Sequence, residues 1–275
     1  MKKRDESFKK KYEACKKLLR KKKITYKAII IILIIILAFV MSPWCRTACT
    51  AAAKVVANTG KKLPIYCVDT GDDKKIAISF DAAWGADDTE ELLSILEEND
   101  VKTTFFMCGY WVEKYPDKVK LIHEAGHDLG NHSATHPHMA QLSKTQIAEE
   151  LQKCRDEVKS LTGYEMDLFR PPFGEYTNSV IETAEENGYY TVQWDVDSLD
   201  WKEYGVEHEV NQVLNHKHLG NGSIILFHND AEYTPDALDR IIKGLKEKGY
   251  EIVPISELIM RENFTMNHEG RQIKS

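Results

Sequence analysis

The chain has 275 residues, 43% of them hydrophobic, with Lys+Arg 37 against Asp+Glu 43 and a formal net charge of −6. Fifteen glycines and eight prolines are ordinary usage, which excludes a collagen-like or wholly disordered chain, and the length allows one large domain or two small ones. Thirteen Lys/Arg against three Asp/Glu give residues 1–27 a balance of +10 and leave −16 on the rest. So acidic a body is a poor grip for a phosphate backbone, and nucleic-acid binding is not expected.

The first predicted element follows the basic leader 1–27. From Ala28 to Met41 the sequence AIIIILIIILAFVM is unbroken apolar, and the uncharged stretch reaches Cys45. That is the short end of a membrane-spanning helix, which needs about 17–25 residues. Tyr26 and Trp44 flank it as interfacial aromatics do. Residues 28–45 are therefore read as an uncleaved single-pass anchor, with a cleaved signal peptide as the runner-up because Thr47–Ala53 offers small residues. Either way the positive-inside rule leaves the leader in the cytoplasm and everything after Arg46 outside. Residues 46–73 lack periodicity and read as a stalk, and 261–275 as a polar, loose tail. The six cysteines contain no CxxC pair, so neither a disulfide scaffold nor a zinc ribbon is expected. Cys45 and Cys49 are open to pairing, modification or neither.

Residues 74–260 alternate strand and helix patterns. Apolar runs suited to buried parallel strands occur at Ile76–Phe80, Thr103–Cys108, Asp128–Asn131, Leu168–Pro171, Tyr190–Val196, Ile224–His228 and Glu251–Pro254. Amphipathic helical stretches between them include Glu90–Glu98, Lys144–Leu161, Asn178–Asn187 and Asp236–Lys248, and several stop at a glycine. This predicts an α/β fold. Asp81, His132, Arg170, Asp197 and His228 each stand at or just after a predicted strand's C-terminal end, which gathers them on one rim. Barrel enzymes build sites there, so a barrel-like fold is preferred to an open sheet.

His132 and His136 in NHSATHP have the spacing of a divalent-metal pair, although Pro137 makes this a loop; His138 fits a shared site less well. Asp81 ends ISFD as a candidate base or ligand, and Asp88 precedes TEELLSIL as a candidate helix cap. Arg170 in RPPFG is placed to orient a carboxylate. Asp195, Asp197 and Asp200 crowd beside Trp201 in WDVDSLDW, with strand alternation turning Asp195 and Asp197 the same way unless the strand has ended. His228 closes IILFH and can donate a proton near neutral pH. Together these residues describe metal-assisted hydrolysis.

SFDAAWG, HSATH, RPPFG, DSLDW and LFH, in that order and spacing, resemble the motifs of the polysaccharide deacetylases, the NodB-homology domains of carbohydrate esterase family 4. The resemblance covers about residues 74–258. FDAAWG looks most like the sporulation-type branch, whose members act on peptidoglycan. The resemblance implies a distorted, incomplete (β/α) barrel of about seven parallel strands. It implies Asp81 as catalytic base, His132 and His136 as metal ligands, and Arg170 as the residue holding the base. It further implies the Phe173 N–H at the oxyanion, Asp200 tuning His228 as the proton donor, and Trp201 lining the pocket. The sequence departs from the family at one ligand: typical members read FDDG, and the second Asp is a third metal ligand, where this chain has Ala82. Asp87 or Asp88 is the candidate substitute.

The implied activity is zinc-supported N-deacetylation (cobalt, nickel or manganese being alternatives) of N-acetylglucosamine or N-acetylmuramic acid in peptidoglycan, by a monomer tethered at the cell membrane. The rivals are a catalytically inactive glycan-binding homologue and a polysaccharide O-acetyl esterase.

Overall fold

The computed structural model describes residues 60–275; the leader, the anchor run at 28–45, Cys45, Cys49 and the first part of the stalk lie outside the described residues. Among the described residues no helix is long and apolar enough to cross a membrane. After β1 (Cys67–Val68) the chain enters β2 (Lys75–Ala82), buried along nearly its whole length, as a parallel strand covered on both faces must be. Then come α1 (Thr89–Glu98), β3 (Thr104–Met107), α2 (Gly109–Lys114), α3 (Pro116–Glu124), β4 (Asp128–Asn131) and α4 (Lys144–Thr162). β5 (Leu168–Phe169), α5 (Asn178–Glu186), β6 (Tyr190–Thr191), β7 (Val196–Asp197), α6 (Val206–Leu214) and β8 (Ile224–His228) follow. The chain closes with α7 (Thr234–Glu247), β9 (Glu251–Ile252), α8 (Ile255–Leu258), β10 (Phe264–Met266) and β11 (Arg271–Lys274).

Seven strands pair in the order β6-β5-β4-β3-β2-β8-β7, every pair parallel, and β9 joins the start of β2. The path ends at β6 on one side and β7 on the other without those two meeting, which makes the barrel incomplete. The helices bury one stripe each. α4 starts at a Ser143–Gln146 capping box, buries Ile147, Leu151, Cys154 and Val158, and ends at Gly163 in the left-handed conformation. α7 buries Ala237, Leu238, Ile241, Ile242 and Leu245. Between the sheet and its helices, Phe80 stacks on Phe105 at 4.8 Å and tilts against Phe227 at 5.7 Å.

Three expectations need correction. The single strand predicted over Tyr190–Val196 is two strands, β6 and β7, at opposite edges of the sheet. The chain leaves the ladder at Gln193–Asp195. There the Asp195 carboxylate accepts from the Ile224 N–H (2.9 Å) and the Ser223 hydroxyl (3.1 Å) at the start of β8. Asp195 thus faces the base of the barrel, while Asp197 lines the opposite rim. Nor is the C-terminus a loose tail. β10 and β11 form an antiparallel hairpin whose second strand runs parallel to β1, and buried Gln272 satisfies its side chain on the Met260 N–H and carbonyl. The last part of the stalk, finally, is structural. Lys61–Ser275 form one unit, and Ile65 exchanges backbone hydrogen bonds with Thr191 and Gln193 while Val68 donates to Gly222. That approach requires glycine: a Cβ at Gly222 would lie 1.7 Å from the Val68 carbonyl oxygen.

Candidate active site

The strand register brings the predicted residues together. Asp81 in β2 stands level with His228 in β8; His132 follows β4, and Arg170 follows β5. They meet at a cleft of about 510 Å³ over the strand C-termini, lined by Asp81, His132, His136, Phe173, Asp197, Asp200, Trp201 and His228. Trp84, Trp194 and Asp230 complete much of its rim.

One wall is built on a buried charge pair. Arg170, with no exposed surface, donates from Nη1 to Asp81 Oδ1 at 2.7 Å and from Nη2 to Ser79 Oγ at 2.9 Å and the Gln193 carbonyl at 3.1 Å. Its guanidinium lies 4.1 Å from the Phe106 ring centroid. Burial by itself would push the Asp81 carboxyl up, but Arg170, then His132 and His228, hold it below the usual carboxylate range. Asp81 is therefore an ionised carboxylate facing the cleft, suited to accept a proton.

The histidine loop is fixed by its own side chains. Asn131 Oδ1 accepts from Ser133 N–H at 2.8 Å and Ser133 Oγ from His136 N–H at 3.0 Å. Glu150 on α4 accepts from the Ala134 and Thr135 amides at 2.9 and 2.8 Å. His132 Nδ1 lies 2.7 Å from the Arg170 carbonyl, so it carries the proton, and Nε2, 3.6 Å from Asp81 Oδ2, keeps its lone pair. The two imidazoles stand 5.0 Å apart, and burial pushes His136 down to about 4, keeping it neutral as a ligand must be. This donor set fits a divalent cation.

The candidate substitutes are not brought in. Among the described residues, the ligating atoms that cluster with the pair, all within 4.8 Å of one another, come from Cys108, His132 and His136. Asp87 and Asp88 belong to neither that group nor the cleft lining. Asp88 does stand at the N-cap of α1, but its side chain makes no capping bond. His138 turns to Glu175 at 2.9 Å.

The other wall is a relay. His228 Nδ1 lies 2.8 Å from Asp200 Oδ1, and the His228 amide donates to Asp200 Oδ2 at 2.6 Å. Burial opposes the imidazolium, but the Asp200 carboxylate raises the His228 pKa above the ordinary value. Behind it, Thr234 Oγ1 lies 3.3 Å from Asp200 Oδ2 and 3.0 Å from Glu209 Oε1. A hydroxyl has one proton to give: donated to Asp200, it leaves Thr234 accepting from a protonated Glu209. Burial, then Asp200, push Glu209 up to about 7, consistent with that proton. The sequence held one signal for Glu209, a carboxylate on the apolar stripe of VEHEVNQVL beside Val210 and Val213. Cys108 carried none, because sheet register rather than spacing places it.

Phe173 adopts φ 59°, exposes its ring, and among the described residues its N–H donates to no protein oxygen. Trp201, 56% exposed, stands over the opposite lip.

Residues 69–192 match the sequence profile of the family described as polysaccharide deacetylase. The chain is 34% identical over 188 residues to a peptidoglycan-N-acetylglucosamine deacetylase of Bacillus cereus, covering 67% of this chain and 68% of that one. It is 30% identical over 219 residues to the peptidoglycan-N-acetylmuramic acid deacetylase PdaA of Bacillus subtilis, covering 78% and 82%. Among solved structures, a Bacillus anthracis protein described as a CE4 family pseudoenzyme superposes with a TM-score of 0.68 at 32% identity, covering 76% and 70%; a mutant of it is described as having restored enzymatic activity. The chain belongs to the polysaccharide deacetylase family.

Proposed function

We propose that the protein is a hydrolase that removes acetyl groups from the N-acetylated amino sugars of peptidoglycan. The observation that carries the reading is an ionised Asp81 and a proton-bearing His228 facing one cleft, each held by its own charged partner. Asp81 takes the proton of the attacking water. The free Phe173 N–H receives the oxygen on which charge develops. His132 and His136 would hold a divalent cation, which when bound would supply Lewis acidity. His228 protonates the leaving amine, without which nitrogen leaves very poorly, and Asp200 keeps the imidazole oriented to do so. The two relatives named as peptidoglycan deacetylases support the substrate class. The apolar run at 28–45 supports a protein tethered at the outer face of the cell membrane, within reach of the wall.

Ala82 and the pseudoenzyme neighbour favour a second reading, a glycan-binding homologue without turnover. Acetate release from N-acetylglucosamine oligomers, peptidoglycan and O-acetylated xylan, each with added zinc, separates the readings. Release from the N-acetylated substrates that is lost in Asp81→Asn supports the deacetylase. Glycan binding with no release from any substrate supports the second reading, and release from xylan alone makes it an esterase.

A further inference from the structure

Ala82 leaves the histidine pair one donor short, and the side chain nearest to filling the gap comes from the adjacent strand. Cys108 directly follows β3; its N–H donates to the Ala82 carbonyl at 3.0 Å, and Met107 pairs with Ala82 in the sheet. The thiol thus reaches the histidines from one strand beside position 82. Its Sγ and one nitrogen of each imidazole lie within 4.8 Å of one another, and Cys108 is fully buried. We propose that Cys108, His132 and His136 form a two-histidine, one-thiolate site for a borderline-soft divalent cation, zinc foremost, with the sulfur standing in for the carboxylate that position 82 lacks.

Reach, charge and softness agree. Zinc–nitrogen bonds of about 2.0–2.1 Å and zinc–sulfur bonds of about 2.3 Å put the donors of a tetrahedral site roughly 3.3–3.7 Å apart. The widest separation in the cluster therefore has to contract by about 1.1–1.5 Å, a displacement that side-chain rotation can supply. Both imidazoles are neutral ligands, and Asp81 is already paired with Arg170, so a dication there would find little compensating charge. A coordinating thiol loses its proton to the cation and supplies the missing negative charge. Thiolate also selects zinc, cobalt and cadmium over magnesium, calcium or manganese, which prefer oxygen. The site shares its histidines with the proposed hydrolase but does not depend on turnover.

Cobalt(II) titration of the full-length chain tests the assignment. Wild type is expected to develop a near-ultraviolet sulfur-to-cobalt charge-transfer band at one equivalent, displaced by zinc. Cys108→Ser should lose the band and bind cobalt at least tenfold more weakly. Cys154→Ser, which alters the neighbouring buried thiol outside the cluster, should retain both. X-ray absorption of the zinc-loaded wild type needs no variant and should show one sulfur at about 2.3 Å. A cation held by nitrogen and oxygen alone, a band that survives Cys108→Ser, or no bound cation at all would overturn the proposal. None of these measurements reads acetate. A chain that binds zinc through Cys108 yet hydrolyses nothing would uphold the site and reject the deacetylase.

Discussion

On one wall of the cleft Asp81 is held by Arg170, which has no exposed side-chain surface; on the other, His228 is held by Asp200 and keeps 21% of its side chain exposed. Each pair holds a strand-end residue, Asp81 or His228, yet in the proposed reaction the two serve different tasks. The base must stay ionised, so its partner is a permanently charged guanidinium locked against Ser79, the Gln193 carbonyl and the Phe106 ring. The acid must gain and lose a proton, so its partner is a carboxylate backed by a hydroxyl and a second carboxyl that can itself titrate. Fixed charge makes the first wall rigid and its loss costly. The second is graded, and single changes there should register in proton transfer before they register in stability.

The contrast is most exposed to failure at Arg170. Arg170→Met removes one partner of a fully buried pair and leaves the Asp81 carboxylate uncompensated, which costs about 3–5 kcal/mol of folding stability. Denaturant unfolding of the two proteins measures it. A loss below about 1 kcal/mol would mean that the base wall is no more rigid than a surface ion pair. Arg170→Lys should recover only part, since an ammonium cannot reproduce the three bonds the guanidinium makes from its two terminal nitrogens.

The same operation on the acid wall should fall on turnover. His228→Gln is expected to lower acetate release about 10²–10³-fold, within the range for loss of a general acid, and to leave the midpoint of denaturation little changed near neutral pH. The raised pKa of His228 sets the sign of the remainder. Its charged form stabilises the fold below the ordinary imidazole value, and that contribution is lost as pH rises through the higher folded value, so any destabilisation should show on the acid side. An equal loss of stability at every pH would erase the distinction between the walls.

Most of this arrangement was legible in the sequence because a buried parallel strand announces its own end. The polar residue that breaks an apolar run, as in ISFD or IILFH, is the one that reaches the rim, and Asp81, Arg170 and His228 obey that rule, while His132 and Asp197 close short strands that already carry polar residues. Patterning says nothing about where a chain crosses from one sheet edge to the other. β6 and β7 therefore read as one strand, although Asp195 between them caps β8. The C-terminal hairpin was hidden for a related reason: its second strand finds its partner in Cys67–Val68, some two hundred residues upstream. Cys108 and Glu209 are likewise contacts of the tertiary structure, with little local trace.

Glu209 provides a subtler check on the graded wall. Its pKa stands at about 7 against an ordinary 4.5, so the folded chain retains a proton that the unfolded chain gives up between these values. The sign follows: this group's contribution to stability falls as pH rises from about 4.5 to 7 and is flat beyond. Glu209→Gln keeps a donor to Thr234 and cannot ionise. It should remove roughly 2–3 kcal/mol of that pH dependence, read as the difference in unfolding free energy between pH 5 and pH 8 for wild type and variant. Parallel curves for the two proteins would mean that Glu209 titrates freely and that the relay ends at Asp200.

The smallest expected effect is a gain, and it falls on the base wall alone. Ala82 is fully buried one residue after Asp81, and its carbonyl is already engaged by the Cys108 N–H. Ala82→Asp adds a carboxylate beside two neutral imidazoles, raising both the number of donors and the negative charge offered to a cation. With a thiol already in reach the improvement is modest, about tenfold in zinc affinity or ~1.4 kcal/mol, measured by competition with a chelator. In a Cys108→Ser background the same substitution should gain more, because the carboxylate then replaces a lost donor instead of joining a complete set. The His228 imidazole, followed by its NMR titration, should move little in both cases, since Asp200 raises its proton affinity first and Asp81 on the other wall only second. Equal gains in the two backgrounds would show that sulfur and carboxylate act independently, and a displaced His228 titration would show that the two walls are one coupled site.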